Sequence, residues 1–558
     1  MLTRVGPPLA VLLLSGPILA GLAGTILPAF GYLPALGGTA FSLAPLRELA
    51  AAPGIAHSAL LSLFAGLAAA TLSLIVVMLF VAAWAGTPLF SRIQHVISPL
   101  LSVPHAAAAF GLAFLIAPSG FLARLVSPEL TGWTRPPDWL IVNDPMGLSM
   151  IAGLVVKEVP FLLLVTLAAL PQVPLARTRM LVASLGYGRV AGFLFCVWPP
   201  IYRQIRLPVF AVIAFASSVV DVAIILGPSA PPTLAARLVE WMNDPDLSMR
   251  FLASAGALLQ LAVSALAILL WIVIEHIGAA FRDRLAAAGR RCVRDRLVRT
   301  VALVAMLASA ATVFAGLATL AIWSVAGLWQ FPDALPRGFS LRNWTTALPR
   351  ILAPLATTVI AGLVSTLIAF AITLLCLLRE DETGRIGRGS ALLIYLPLLV
   401  PQVAFLFGLQ LLFLLSGAVA GLPALILAHL VFVMPYVFLS LSDPWRAYDR
   451  RYEAIAAGLG KSRLKTFLAV RLPMLTRPLL TAMAVGFAVS VGLYLPTVLI
   501  GAGRLTTITT EAVTLASGGN RRVIGVYAFL QMVLPMMGFV VATLVPALLF
   551  RRFRAMRV

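Results

Sequence analysis

Charged side chains are scarce in this chain. They make up 11% of its 558 residues, and only 20 are acidic. A soluble domain of this size cannot cover its surface with so few, which excludes a water-facing globule. Cysteine is nearly absent as well. Cys196 and Cys292 fall in segments read as cytoplasmic and Cys376 in an apolar helix, so no periplasmic disulfide is available. The five histidines (His57, His95, His105, His276 and His429) show no metal-ligand spacing. No metal, no cofactor and no catalytic residue is therefore expected, and a membrane-embedded enzyme, which would need convergent His, Asp or Glu, is set aside.

What fills the chain instead is apolar: 61% of residues are hydrophobic and the mean hydropathy is +1.02. Crossing a hydrocarbon core of about 30 Å takes about 20 helical residues. Twelve runs of that kind are legible. The first six are at 8–30, 58–84, 97–118, 147–170, 207–228 and 251–276; the others are at 300–327, 353–378, 390–416, 423–441, 478–501 and 523–550. Unbroken runs lack the alternation of a barrel strand, and a spanning segment must satisfy its own backbone. The fold class is thus an all-α polytopic membrane protein in the lipid bilayer, with about 12 transmembrane helices.

The net charge of +21 is distributed, not clustered. Basic residues gather on alternate loops: 177–206 (Arg177, Arg179, Arg189, Arg203, Arg206), the stretch from Arg282 to Arg299, 446–477 (Arg450, Arg451, Lys461, Arg463, Lys465, Arg471) and the tail (Arg551, Arg552, Arg554, Arg557). Loops 119–146 and 229–250 mix acids with fewer arginines. Positive-inside bias explains this without nucleic acid as a partner, and places both termini in the cytoplasm. Residues 8–30 resemble a signal-peptide core. The run is long, lacks a clear cleavage site and has a counterpart in the second half, so it is read as a retained helix.

The chain also repeats itself. Leu33-Pro34 with Phe41-Ser42-Leu43 recurs as Phe331-Pro332 with Phe339-Ser340-Leu341, Ala65-Gly66-Leu67 as Ala361-Gly362-Leu363, and Pro104-His105 as Pro401-Gln402. Further on, Pro160, Gly186, Pro199 and Gly227 match Pro435, Gly460, Pro473 and Gly501, at a shorter offset. The first half therefore carries extra outside residues within 117–146. The expected organisation is one six-helix domain over 1–280, a basic cytoplasmic linker over 281–299 and a second six-helix domain over 300–558. An even helix count makes the two repeats parallel, with a pathway at their interface.

Each half carries a long basic segment between its fourth and fifth helices. The second reads Tyr452-Glu453-Ala454-Ile455-Ala456-Ala457-Gly458-Leu459-Gly460 and runs on to Arg471-Leu472-Pro473. The first reads Met180-Leu181-Val182-Ala183-Ser184-Leu185-Gly186 and runs on to Trp198-Pro199. A short helix, a glycine free to take positive φ, a second short helix and a proline in the first turn of the next span make a compact elbow. This resembles the EAA loop of binding-protein-dependent ABC importer permeases of the MetI-like superfamily. The stretch from Phe487 to Val513 is similar to the fused, YnjC-like group, itself similar to ferric-iron, thiamine and spermidine/putrescine permeases. The chain departs from the pattern in having Met180-Leu181-Val182 and Ala454-Ile455-Ala456 where the family has Glu-Ala-Ala, with Glu453 one residue early.

The resemblance implies a permease subunit that translocates a small-molecule cargo. A periplasmic substrate-binding protein would deliver it, and two copies of an ABC ATPase subunit would drive the transport from the cytoplasmic face of the inner membrane. The cargo could be thiamine-like, a polyamine or iron. ATPase coupling would fall to Gly186, Pro199, Glu453, Ala456, Gly460 and Pro473. Gly460-Lys461-Ser462 is not a phosphate-binding loop, because Ile455 stands where that loop needs glycine and no strand precedes it. Twelve helices in two sixes also describe a secondary transporter of the major facilitator type, and Thr383-Gly384-Arg385-Ile386-Gly387-Arg388 is the motif that favours this alternative. Its counterpart loop, 84–95, lacks such a motif.

Lys157 and Glu158 in the fourth span, Asp221 in the fifth and Tyr494 in the second half are candidates for the translocation path. Ionisable groups at such depth are costly and face a cavity or one another. The expected pair is Lys157 with Asp221, with Glu158 turned to another face.

Overall fold

The computed structural model describes residues 2–384, 390–417 and 421–551. The chain is all-α, and the only β pairing among the described residues is two isolated bridges. The main helices of the first half are α1 (Gly6–Ala29), α2 (Ile55–Trp84), α3 (His105–Ile116), α4 (Leu148–Ala169), α5 (Leu175–Ser184), α6 (Trp198–Ser218), α7 (Asp221–Leu226), α8 (Leu234–Met242) and α9 (Met249–Ala287). Those of the second half are α10 (Arg296–Val325), α11 (Arg342–Thr383), α12 (Ser390–Leu399), α13 (Gln402–Leu415), α14 (Leu422–Arg446), α15 (Arg451–Gly458), α16 (Leu472–Gly492), α17 (Leu495–Gly501), α18 (Ile508–Thr514) and α19 (Arg521–Leu549).

Among the described residues, 10 helices are long and apolar enough to cross a membrane, or 11 if the pair bent by 88° at α12 and α13 counts as one span. The remaining expected span, 207–228, is formed by α6 and α7. It begins at Trp198, so Arg203 and Arg206 lie on the helix, and it is broken at Val219 and Val220. Arg206 is accommodated there by Glu275 of α9, at 2.8 Å. The second half repeats the break between α16 and α17, at Leu493 and Tyr494.

A broken span must find partners for its freed backbone groups. In the first half Gln260 donates to the Ser217 carbonyl at 3.0 Å. In the second, Thr509 donates to the Val491 carbonyl and Gln531 donates to Thr509 at 2.9 Å. His429 sits between Ser490 on α16 (2.7 Å) and Thr497 on α17 (3.0 Å), tying both sides of the break to α14.

The two halves are not separate bodies. Helix α1 packs along α13, and α3 along α10, so each half lends its first helix to the other. Close approach is possible because these crossings are made by glycine. A Cβ at Gly111 would lie 2.9 Å from the Gly316 carbonyl carbon, and one at Gly21 would overlap the Phe405 carbonyl. One buried cluster accordingly joins Phe110, Leu154 and Val222 to Trp323, Ile351 and Tyr527.

The extra residues of the first half, within 117–146, make a further tie. Buried Arg124 donates to the carbonyls of Gln330 (2.8 Å) and Asp333 (3.2 Å) and lies over the Trp329 ring. Leucines such as Leu12, Leu19, Leu363 and Leu544 point outward, as a lipid-facing surface requires. Of the expected linker, 281–287 continue α9 and 296–299 begin α10, so only 288–295 leave the helix. Arg552, Arg554 and Arg557, and the Arg385–Arg388 part of the facilitator-like motif, lie outside the described residues.

Candidate coupling elbows and translocation path

Each elbow begins with a short helix closed in the same way. After α5, the Tyr187 N–H donates to the Val182 carbonyl and the Gly186 N–H to Ala183. After α15, Lys461 donates to Ala456 and Gly460 to Ala457. This double closure requires a left-handed residue, and Gly186 (φ +77°) and Gly460 (φ +75°) supply it. Val182 and Ala456 are the buried positions of α5 and α15. Leu181 and Leu185 on one elbow, and Ile455 and Leu459 on the other, are exposed at corresponding places. Beyond each glycine the chain passes through a π-helical turn into α6 or α16, where Pro199 and Pro473 stand in the first turn without needing an N–H partner.

The elbows are braced differently. Helix α11 has 42 residues, about 60 Å at 1.5 Å per residue, so its last turn clears the bilayer core and brings acids to the second elbow. Arg471, almost fully buried, reaches Asp381 at 2.7 Å and Glu453 at 3.2 Å, with its guanidinium 3.9 Å from the Trp445 ring centre. Arg446 pairs with Glu380 at 3.0 Å, and Arg450 pairs with Asp381. Glu453 is thus engaged within the chain. On the neighbouring surface Asp449 is held below the usual carboxylate range by hydrogen bonds from Arg451.

In the first half the segment 288–295 lies against the elbow. Gly188 donates to the Arg291 carbonyl (2.8 Å) and Val190 to the Asp295 carboxylate (3.0 Å). A Cβ at Gly186 would meet the Arg291 guanidinium at 3.2 Å, whereas one at Gly460 would meet nothing within 4 Å among the described residues.

Lys157, Glu158 and Asp221 are all buried. The structure does not join Lys157 to Asp221. Lys157 donates instead to the Leu100 (3.2 Å) and Leu101 (3.1 Å) carbonyls of the short 3-10 turn ahead of α3, the first of which also accepts from the Val103 N–H. Glu158 pairs with His105 at 3.0 Å, and that imidazole packs on Phe215. Asp221 opens α7 just past the break, with the His105 imidazole and the Tyr494 phenol from the opposite half as neighbours. Tyr436 stands in the same relation to Glu158. Tyrosines of one half thus lie within electrostatic reach of carboxylates of the other.

With this geometry in view, one comparison decides the family. The chain is 32% identical over 507 residues to the inner membrane ABC transporter permease protein YnjC of Escherichia coli K12, covering 91% of each chain. The chain belongs to the inner-membrane ABC transporter permeases. A 110-residue stretch, 19% of this permease and 39% of its relative, is 33% identical to the putrescine transport system permease protein PotI of the same strain. No family model matches the permease. It is a multi-pass inner-membrane protein, and the facilitator alternative has no support.

Some residues of this permease were not singled out by sequence reasoning. His105 was visible as the partner of Gln402 in the repeat and as one of five histidines without ligand spacing, and Tyr436 as the neighbour of Pro435. Arg471 looked like one more basic loop residue, although a buried arginine needs an acid and α11 ends in Glu380, Asp381 and Glu382.

Proposed function

We propose that this permease is the complete membrane pathway of an importer, with both halves on one polypeptide. The paired elbows carry the reading, because both have the same glycine closure, the same buried position and the same exposed apolar positions. Two nucleotide-hydrolysing subunits, one on each elbow, would push the apolar residues Leu181, Leu185, Ile455 and Leu459 as they close. Gly186 and Gly460 allow each elbow to keep its shape, while Pro199 and Pro473 start the helices that carry the motion to the breaks at Val220 and Tyr494.

Both termini then face the cytoplasm, as the basic residues near the elbows and 288–295 favour. A periplasmic binding protein would deliver cargo to the opposite face. The cargo is a small solute, with thiamine-like cations, polyamines and iron as its candidate classes. The relationship to a putrescine permease supports such a solute, and the path would present Glu158, Asp221, Tyr436 and Tyr494 to it. Reconstituting the permease with its ATPase and binding protein, then screening cargoes for stimulated ATP hydrolysis, tests this directly. Stimulation by one cargo is expected. Full stimulation in a complex lacking this permease would refute the reading.

A further inference from the structure

Three arginines converge where the first elbow meets the end of α2 and the start of α10. Arg189 donates to the Ala85 carbonyl at 2.8 Å. Arg179 on α5 has its guanidinium against Gly86, the next residue of that turn. Arg299, in the first turn of α10, lies 5.2 Å from the centre of the Trp84 ring, and the Trp84 indole in turn donates to the Arg299 carbonyl at 3.1 Å. These contacts place all three side chains around residues 84–86.

Four of their donors are not satisfied. Nε and Nη2 of Arg179, Nε of Arg189 and Nε of Arg299 are all shielded from solvent and lack a hydrogen-bond partner among the described residues. Asp295 is the carboxylate that acts on Arg189, and one of its oxygens already accepts from the Val190 N–H. Burial and the neighbouring Arg189 charge push Arg179 down to about 10, and Arg189 is lowered for the same kinds of reason. At neutral pH Arg179 still carries its proton, so among the described residues cations outnumber the acid beside Arg189. Water could fill the donor positions but would leave the excess charge in place. An anion with several acceptor oxygens answers both deficits.

We infer that Arg179, Arg189 and Arg299 form a binding site for a phosphate group, at the seam between the first elbow and the segment that joins the two halves. A phosphate offers acceptor oxygens for guanidinium forks arriving from different helices. Trp84 marks the end of a span, where an anionic phospholipid headgroup and a soluble phosphate can both reach. The occupant would pin α5, α2 and α10 together and so stiffen the elbow that 288–295 already covers. The second elbow builds its brace from Arg471 and the acids of α11 instead. The inference stands on local geometry and does not depend on which side of the membrane the elbow occupies.

The test uses the full chain purified in a neutral detergent, with thermal unfolding followed by tryptophan fluorescence. Wild type, Arg179→Gln/Arg299→Gln and the exposed-arginine control Arg290→Gln/Arg294→Gln are titrated with inorganic phosphate, and separately with micelles containing phosphatidylglycerol or phosphatidylcholine. We expect phosphate or phosphatidylglycerol, but not phosphatidylcholine, to raise the midpoint of wild type and control, with the gain lost in Arg179→Gln/Arg299→Gln. A gain from inorganic phosphate identifies a soluble ligand, and a gain from phosphatidylglycerol alone identifies a lipid headgroup. If the double variant does not stay monodisperse, Arg299→Gln alone is compared by counting retained phosphatidylglycerol or phosphate in native mass spectrometry. An equal response in all three proteins, or none in wild type, overturns the site.

Discussion

Arg471 and Asp381, 90 positions apart in sequence, meet at 2.7 Å and close the second elbow onto the last turn of α11. Arg471 also holds Glu453 and lies over Trp445, so one side chain joins the elbow to two membrane helices.

Asp381→Ala should therefore loosen the second elbow. Removing one partner of a buried pair leaves an uncompensated charge, and about 3 kcal/mol of stability is at stake, reduced here because Glu453 remains. Thermal unfolding should shift down, and ATPase stimulation in the assembled transporter should fall further than expression does. An unchanged midpoint together with full stimulation would remove the brace from the account.

Gly460→Ala and Gly188→Ala should fail for different reasons. At Gly460 the cost is left-handed backbone, about 1 kcal/mol, since a Cβ there meets no described atom within 4 Å. At Gly188 the Cβ would overlap the Cys292 carbonyl, so 288–295 must lift from the elbow. Trypsin should then cut at Arg290, Arg291 and Arg294 faster in Gly188→Ala than in wild type or Gly460→Ala. Equal cleavage rates in the three proteins would show that the segment is not clamped there. Gly460→Pro, which also removes an N–H engaged with Ala457, should abolish ATPase docking while membrane insertion persists.

The elbow glycines were legible because glycine and proline at matched spacing carry a backbone requirement that survives even where Glu-Ala-Ala does not. The all-α class followed from the length of the apolar runs alone. The start of the fifth span was less legible, because hydropathy counts Arg203 and Arg206 as loop residues and cannot see Glu275 on α9. The expected pairing of Lys157 with Asp221 failed for a related reason. Sequence shows which helices hold ionisable groups, but not that a 3-10 turn leaves the Leu100 and Leu101 carbonyls within reach of the ammonium. Likewise, no local signal shows that 288–295 folds back on the first elbow.

Because Lys157 and Asp221 have separate partners, their substitutions should act independently. Asp221→Asn should lower transport without reducing insertion, and Lys157→Met should mainly destabilise the turn before α3. The double variant should then show additive losses, within about 0.5 kcal/mol. Rescue of either single variant by the other would restore the direct pairing that the structure does not contain.

Leu459→Glu and Leu185→Glu probe the exposed face of each elbow. Each should weaken ATPase binding, read as a faster off-rate from immobilised permease, with monomer stability changed by less than about 0.5 kcal/mol because both side chains face outward. Undiminished binding in both variants would mean that the ATPase docks elsewhere.

The central claim is that one chain supplies both halves of the pathway, and the mass of the purified transporter tests it most directly. Native mass spectrometry of the detergent-solubilised complex should find one copy of the 59.2 kDa chain with two ATPase subunits. A complex whose mass requires two copies of this chain per ATPase pair would contradict it.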